Sequence, residues 1–202
     1  MIAPLLFDAV FDFPAPCFQS HSTSWSDGAG ISLKVLRLDL IDPVISGNKW
    51  YKLRHNLEQA RQQGHTRLLS FGGAWSNHLY AMAAAGQRFG FETIGVLRGE
   101  LVKPFNPVLE FVTQQGMQLH PVSRAAYRLK NDPDFIEQLK SRFGNFYLIP
   151  EGGCNPEGVR GCAGLAALFD QAPQRRIIAL ACGTGTTLAG LVAGFAQWSP
   201  SE

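Results

Sequence analysis

Short apolar stretches typical of strands alternate with amphipathic stretches typical of helices from Ile31 onward, and this alternation constrains the fold more than any other feature. The predicted strands are ISLKVLRLDLI from Ile31, 66–73, 92–100, 117–123, 145–153 and 175–183. The predicted helices are 49–64, 76–90, 106–116, 132–144, 155–172 and 186–198. A repeated strand–helix–strand order is typical of parallel strands joined by right-handed helical crossovers. The sequence therefore predicts an α/β fold.

Four turn-forming stretches each follow a predicted strand. They are SGNK (46–49), FGGAWSNH (71–78), PEGGCNPEG (150–158) and ACGTGTTLAG (181–190). In open α/β sheets, ligands bind beyond the carboxyl ends of the strands. We therefore expect the four stretches to converge on one crevice.

Composition and charge argue against several classes of function. The net charge of +2 is too small to indicate a nucleic acid or a membrane surface as partner. The four cysteines form no C-x-x-C pair and the histidines no H-E-x-x-H motif, so no metal site is predicted. The first residues lack the basic region of a signal peptide, and no apolar stretch stands out as a bilayer span. We expect a cytoplasmic protein with reduced thiols.

The stretch CGTGTTLAG (182–190) has the strand–turn–helix arrangement that binds phosphate. Two glycines let the backbone approach an anion and three threonines add hydroxyl donors: Gly183, Thr184, Gly185, Thr186 and Thr187. Leu188 stands where a dinucleotide fingerprint needs glycine, and no G-K-[ST] follows. A small monophosphate is therefore the predicted ligand. The alternative is a tight turn whose small residues serve packing.

The stretch FGGAWSNH has similar geometry with different chemistry. Ser76, Asn77 and His78 lie at the start of a predicted helix. Free amide groups, the Ser76 hydroxyl and the Asn77 amide together suit a carboxylate. Taken alone, the stretch favours a simple N-cap by Ser76 or Asn77, and His78 is equally consistent with a hydrogen-bonded histidine on the helix face.

Lys49 follows the turn-forming residues Ser-Gly-Asn and precedes Lys52 by three positions. A helix N-terminus and burial both lower the pKa of a lysine, as covalent catalysis by an amine requires. A lysine near a turn is more often exposed, and position barely separates Lys49 from Lys52. An amine, a monophosphate site and a carboxylate site together indicate pyridoxal phosphate with an amino-acid substrate.

The segments GNKWYKL, FGGAWSNH, IPEGGCNPEGVRG and CGTGTTLAGL resemble, in order and spacing, those of the 1-aminocyclopropane-1-carboxylate deaminase and D-cysteine desulfhydrase family. That family consists of pyridoxal-phosphate enzymes of fold type II, the tryptophan synthase β-like fold. The resemblance runs from about residue 30 to the end of the chain. It implies parallel sheets with helical crossovers in two domains, a small one at 54–163 and a larger one from 1–53 and 164–202.

The resemblance also implies roles for individual residues. Lys49 matches the lysine that bonds to the cofactor and later moves protons, and Asn77 the asparagine beside the cofactor ring hydroxyl. Ser76 matches the serine near the substrate carboxylate and reacting carbon, and His78 completes the motif. The resemblance thus implies that Ser76, Asn77 and His78 bind the substrate. Residues 183–187 match the phosphate loop. The implied reactions convert 1-aminocyclopropane-1-carboxylate to 2-oxobutanoate and ammonia, or D-cysteine to pyruvate, sulfide and ammonia.

The sequence departs from the family pattern in composition and in length. Thr186 replaces a more usual glycine, and Cys154 replaces the serine after Gly-Gly. Family members continue beyond the equivalent of Glu202, so we expect a C-terminally truncated chain with an incomplete larger domain. Two alternatives stay open: a non-catalytic remnant that binds pyridoxal phosphate, and a nucleotide-binding α/β module. The resemblance further implies a homodimer.

Overall fold

The computed structural model describes residues 14–169 and 176–197 of the chain. Within these ranges, strands and helices alternate. The strands are β1 (Cys17–His21), β2 (Leu33–Arg37), β3 (Arg67–Gly72), β4 (Glu92–Arg98), β5 (Gln118–Val122) and β6 (Tyr147–Ile149). The α-helices are α1 (Ser24–Gly28), α2 (Asn48–Gln62), α3 (Asn77–Phe89), α4 (Pro107–Gln114), α5 (Arg124–Arg128), α6 (Pro133–Phe143), α7 (Pro156–Ala163) and α8 (Thr186–Ala196).

The predicted parallel sheet is confirmed for the middle of the chain. Four strands pair in the order β5-β4-β3-β6, and every neighbouring pair is parallel. Leu69 of β3 lies opposite Ile94 of β4 and Leu148 of β6. Helices connect successive strands of this sheet, as a parallel arrangement requires.

The central strands of this sheet are covered on both faces. Leu68 of β3 belongs to an apolar cluster that includes side chains of α2, α3 and α4, while Leu69 and Phe71 belong to a second cluster with α5 and α6. Successive side chains of a strand point to opposite faces, so one strand supplies both clusters. Each large side chain buried in this way contributes roughly 1.5–3 kcal/mol to stability.

The first two strands differ from the prediction. The strand predicted from Ile31 is present as β2, but it pairs antiparallel with β1, a strand that the sequence does not predict. The connection from His21 to Leu33 is short and includes only the brief helix α1. A parallel pair needs a longer crossover, which explains the antiparallel hairpin.

The prediction of a strand at 175–183 is wrong for residues 176–183, which form no regular structure. Ile177 and Ile178 are 92% and 38% exposed. A strand exists through hydrogen bonds to a neighbouring strand, and no strand of the described residues pairs with this stretch. The helix predicted at 155–172 is also shorter, because α7 ends at Ala163 and a 3₁₀ turn, Gly164–Leu168, follows.

Helix α7 packs so closely between α2 and α8 that glycines form the contacts. A β-carbon on Gly161 of α7 would lie 1.7 Å from the Tyr51 carbonyl oxygen of α2. A β-carbon on Gly190 or Gly194 of α8 would lie 2.3 Å or 2.4 Å from Cys162 or Ala163 of α7. This packing brings the first turn of α2 next to the first turn of α8.

The division into a small domain at 54–163 and a larger one from 1–53 and 164–202 stays a prediction. The four-stranded sheet lies within the range predicted for the small domain. No helix among residues 14–169 and 176–197 is both long enough and apolar enough to cross a membrane.

Candidate active site

The beginning of α2 places Lys49 beside the predicted phosphate loop. Gly47 precedes the helix with a φ of 67°, a left-handed conformation that favours glycine. Lys49 Nζ donates a hydrogen bond to Asn48 Oδ1 at 2.7 Å. Asn48 Nδ2 in turn donates to Thr187 Oγ1 at 2.7 Å. Two of the stretches expected to converge therefore do so.

Lys49 has the properties predicted for a reactive amine. Its side chain is partly buried at the start of a helix. Burial lowers the pKa of Lys49, and the positive charge of Lys52 lowers it further, while Cys162 acts in the opposite direction. A lower pKa increases the fraction of neutral amine, which is the nucleophilic form.

The first turn of α8 can bind an anion. Gly185 is the N-cap residue, with a φ of 78° and no side chain that caps the helix. The first amide groups of the helix therefore face outward without a helical partner. The hydroxyls of Thr184 and Thr186 lie 2.9 Å apart, and Thr186 is 2% exposed. Amides and hydroxyls together form a suitable cradle for a phosphate.

The turn at Gly152 and Gly153 lies against this cradle. Both glycines have positive φ, 66° and 67°. A β-carbon on Gly152 would lie 2.7 Å from Thr184 Cγ2, and one on Gly153 would lie 3.1 Å from Lys52 Cβ and 3.7 Å from His78 Cε1. The third predicted stretch therefore touches both the phosphate loop and α2. Glycine is required here by conformation and by space.

The stretch FGGAWSNH forms the turn between β3 and α3. Ser76 caps α3, since its hydroxyl oxygen accepts a hydrogen bond from the Leu79 amide at 3.2 Å. Asn77 is the first residue of the helix, and its side chain is exposed. Asn106 Nδ2 donates to the Ala74 carbonyl oxygen at 3.1 Å and so holds the turn in place, a contact that the sequence does not predict. The N-cap interpretation of Ser76 is thus correct, and its hydroxyl keeps a hydrogen to donate.

His78 lies beneath this turn and is only 4% exposed. Its Nε2 is 3.0 Å from Ser70 Oγ, and its Nδ1 is buried with no hydrogen-bond partner in the described structure. Burial lowers the pKa of His78 to about 3, helped by the charges of Lys49 and Lys52. The imidazole is therefore neutral at ordinary pH. Its predicted contact with substrate stays a prediction.

Lys52 is a second amine at the site that sequence reasoning did not assign to it. The residue is 5% exposed, and burial lowers the pKa of its amine. No hydrogen bond or ion pair joins the amine to any residue in the described ranges. The carbon chain of Lys52 is buried while its amine is only partly desolvated, and a bound anion would pair with this cation. The only sequence signal was its spacing of three residues from Lys49.

These residues fit pyridoxal phosphate. The start of α8 supplies donors for a phosphate, and Lys52, whose carbon chain lies near the Gly152–Gly153 turn, supplies a positive charge. Lys49 supplies an amine of lowered pKa, which two hydrogen bonds connect to Thr187. A phosphate-bearing aldehyde would therefore find donors for its phosphate at the start of α8 and an amine for its aldehyde at Lys49.

The chain is similar to known proteins over most of its length. The family model described as "Pyridoxal-phosphate dependent enzyme" matches residues 12–201. The Thermotoga maritima protein named "Putative 1-aminocyclopropane-1-carboxylate deaminase" is 35% identical over 84% of this chain and 55% of that relative. The D-cysteine desulfhydrase of Serratia proteamaculans is 26% identical over 87% of this chain and 56% of that relative.

A solved structure, described as an ACC deaminase homologue, superposes with a TM-score of 0.74 at 28% sequence identity. The superposition covers 91% of this chain and 57% of that one. The chain thus spans about half the length of the curated relatives that it matches.

Proposed function

The chain belongs to the family of pyridoxal-phosphate dependent enzymes, and from this premise we propose that it is a deaminase or lyase acting on a small amino acid. The predicted α/β fold of type II and the resemblance to the deaminase and desulfhydrase family are confirmed. A separate nucleotide-binding module loses its support, since the family match includes the CGTGTTLAG loop. The observation that carries the proposal is the pair of hydrogen bonds from Lys49 through Asn48 to Thr187.

We assign the cofactor contacts to three elements. Lys49 would bond to the aldehyde, the first turn of α8 would hold the phosphate through its amides and the hydroxyls of residues 184–187, and Asn77 would contact the ring hydroxyl. When bound, the cofactor supplies an electron sink for charge that develops on the substrate carbon. The partly desolvated Lys52 amine would add positive charge near the phosphate.

The substrate contacts are assigned to the turn before α3. Ser76 and Asn77 bind the carboxylate together with the free amides of the helix start, and His78 supports this turn from beneath. The Lys49 amine and the Ser76 hydroxyl would carry protons to and from the reacting carbons. Partial burial lowers the pKa of Lys49 and so favours the neutral form of its amine.

We propose 1-aminocyclopropane-1-carboxylate and D-cysteine as the two candidate substrates, because the relatives are named for reactions on these compounds. The products separate them. Release of 2-oxobutanoate identifies the first substrate, and release of pyruvate with sulfide identifies the second.

The experiment is to purify the chain with pyridoxal phosphate and to measure keto-acid release from both compounds. We expect release by the wild type and none by Lys49→Ala, with Lys103→Ala as a lysine control outside the site. Bound cofactor without keto-acid release from either compound would contradict the catalytic proposal and favour a non-catalytic pyridoxal-phosphate binder. Failure to bind the cofactor at all would contradict both.

We also propose a cytoplasmic location and a homodimer. The four cysteines, Cys17, Cys154, Cys162 and Cys182, are free thiols, which suits a reducing compartment. Large apolar side chains of the β1–β2 hairpin are exposed and offer a surface for a second copy: Phe18, Leu33 and Val35. Cell fractionation tests the location, and a monomeric mass by sedimentation would contradict the dimer.

A further inference from the structure

We propose that Asn48 is a positioning residue that holds the Lys49 amine at a fixed place relative to the anion cradle at the start of α8. The inference rests on the proposed function, because the amine and the cradle matter together only for a phosphate-bearing aldehyde. It assigns to Asn48 a role that is separate from binding the phosphate and from bonding to the aldehyde.

The side chain of Asn48 makes a long-range contact. Asn48 is the first residue of α2, and the N-cap position before it is occupied by Gly47, which has no side chain to cap the helix. The Asn48 amide group reaches Thr187, which is 139 residues away along the chain, at 2.7 Å. Its side chain therefore joins two parts of the site.

The orientation of the Asn48 amide follows from its two partners. The Lys49 amine is a donor when protonated, so it takes the amide oxygen, which leaves the amide nitrogen to donate to Thr187 Oγ1. Each hydrogen bond therefore fixes which end of the Asn48 amide is left for the other partner. Loss of the Thr187 hydroxyl would therefore release Asn48, and through it Lys49.

A lysine side chain has four rotatable bonds, and fixing it costs about 2 kcal/mol of conformational entropy. Part of that cost is met before the ligand arrives, because Asn48 already holds the amine. A ligand anchored through its phosphate then meets an amine that is already in place. A ligand without a phosphate is not anchored at the cradle and gains little from this arrangement.

The measurable consequence is a preference for the phosphate-bearing aldehyde. We compare the rates at which pyridoxal phosphate and pyridoxal attach to Lys49, trapping the products with borohydride and locating them by peptide mass. In Asn48→Ala, the ratio of the two rates is expected to fall on the order of tenfold. The affinity for inorganic phosphate, measured on the same variant, is expected to stay the same.

Thr187 provides the matched test. Thr187→Val removes the hydroxyl at nearly constant volume. Because this hydroxyl is also assigned to the phosphate, the rate ratio of each variant is divided by its affinity for inorganic phosphate. The corrected ratio should fall in Thr187→Val as it does in Asn48→Ala, and it should be restored in Thr187→Ser. In the double variant Asn48→Ala/Thr187→Val the corrected ratio should be no lower than in Asn48→Ala alone, because the two residues act as one unit. A merely structural role would not be rescued by serine.

Two outcomes would overturn the inference. One is an unchanged ratio in Asn48→Ala, and the other is full additivity of the two substitutions. If neither aldehyde attaches to Lys49 even in the wild type, the proposed function itself fails, so the two failures can be told apart.

Discussion

Gly161→Ala tests the close approach of α7 to α2, the helix that carries Lys49. The added β-carbon would be 1.7 Å from the Tyr51 carbonyl oxygen, whereas a carbon and an oxygen in contact lie at about 3.3 Å. The helices would have to separate by about 1.6 Å on that contact distance. Because the obstructing atom belongs to the backbone, no change of rotamer can relieve the overlap.

The expected cost follows from two opposing effects. Overpacking of a core typically lowers the free energy of unfolding by about 1–3 kcal/mol. Because the obstructing atom is in the backbone, we take the upper value, about 3 kcal/mol, for Gly161→Ala. The higher helix propensity of alanine offsets about 1 kcal/mol. We therefore expect the free energy of unfolding to fall by about 2 kcal/mol, which is on the order of 1 M in the urea midpoint.

Gly164→Ala is the matched control, three residues further along the chain. Gly164 has a helical conformation, with φ and ψ of −59° and −20°. Its β-carbon would meet only the Arg54 guanidinium, at 3.5 Å, which is an ordinary contact. Urea unfolding of this variant should show a gain of about 0.5 kcal/mol. Equal midpoints for Gly161→Ala and Gly164→Ala would refute the packing described for α7.

Three further substitutions test other parts of the structure. Burial holds the pKa of His78 at about 3, so between pH 6.5 and 3 the unfolded chain binds one more proton than the folded chain, and the free energy of unfolding should fall on acidification by up to about 1.4 kcal/mol per pH unit. In His78→Gln, the free energy of unfolding measured by urea titration should depend less steeply on pH. Equal pH dependence in both proteins would count against a buried neutral histidine. Asp42 pairs with Arg88 at 2.6 Å, and although burial opposes it, this pairing and backbone hydrogen bonds lower the pKa of Asp42. Asp42→Asn should lower the free energy of unfolding at pH 7 by about 2 kcal/mol, measured by thermal unfolding. This difference from the wild type should shrink as the pH falls through the lowered pKa of Asp42. An unchanged Tm at pH 7 would contradict the ion pair. Gly152→Ala should weaken the binding of inorganic phosphate about tenfold by calorimetry, since its β-carbon would intrude on the phosphate loop. Gly116 also has a positive φ but has open space around it, so Gly116→Ala should leave phosphate binding unchanged. An equal effect of both substitutions would refute the contact between Gly152 and the loop.

The sequence predicts the middle of the fold well for a physical reason. From β3 to α6, apolar periodicity and polar N-cap residues specify each element locally, as at Ser76 and Asp132. Strand β1 has five exposed residues and owes its existence to pairing with β2, so its own sequence carries little signal. The apolar stretch 177–181 is typical of a strand, but pairing with a neighbouring strand decides whether it forms one.

The candidate site divides in a similar way. The proximity of Lys49 to the threonine-rich loop is predictable, because both follow turns with recognisable chemistry. The burial of Lys52 and the contact between Asn48 and Thr187 are not, because each depends on helices that meet across the fold. Short polar residues such as Asn48 carry several equivalent local interpretations, and only packing selects one.

The central claim is that the amine of Lys49, and not that of Lys52, bonds to a phosphate-bearing aldehyde held at the start of α8. The direct measurement is reduction of the protein with borohydride in the presence of pyridoxal phosphate, followed by peptide mass analysis. We expect one modified site, Lys49. The modification should persist in Lys52→Ala and be absent from Lys49→Ala. Modification of Lys52 instead, or of exposed surface lysines alone, would contradict it.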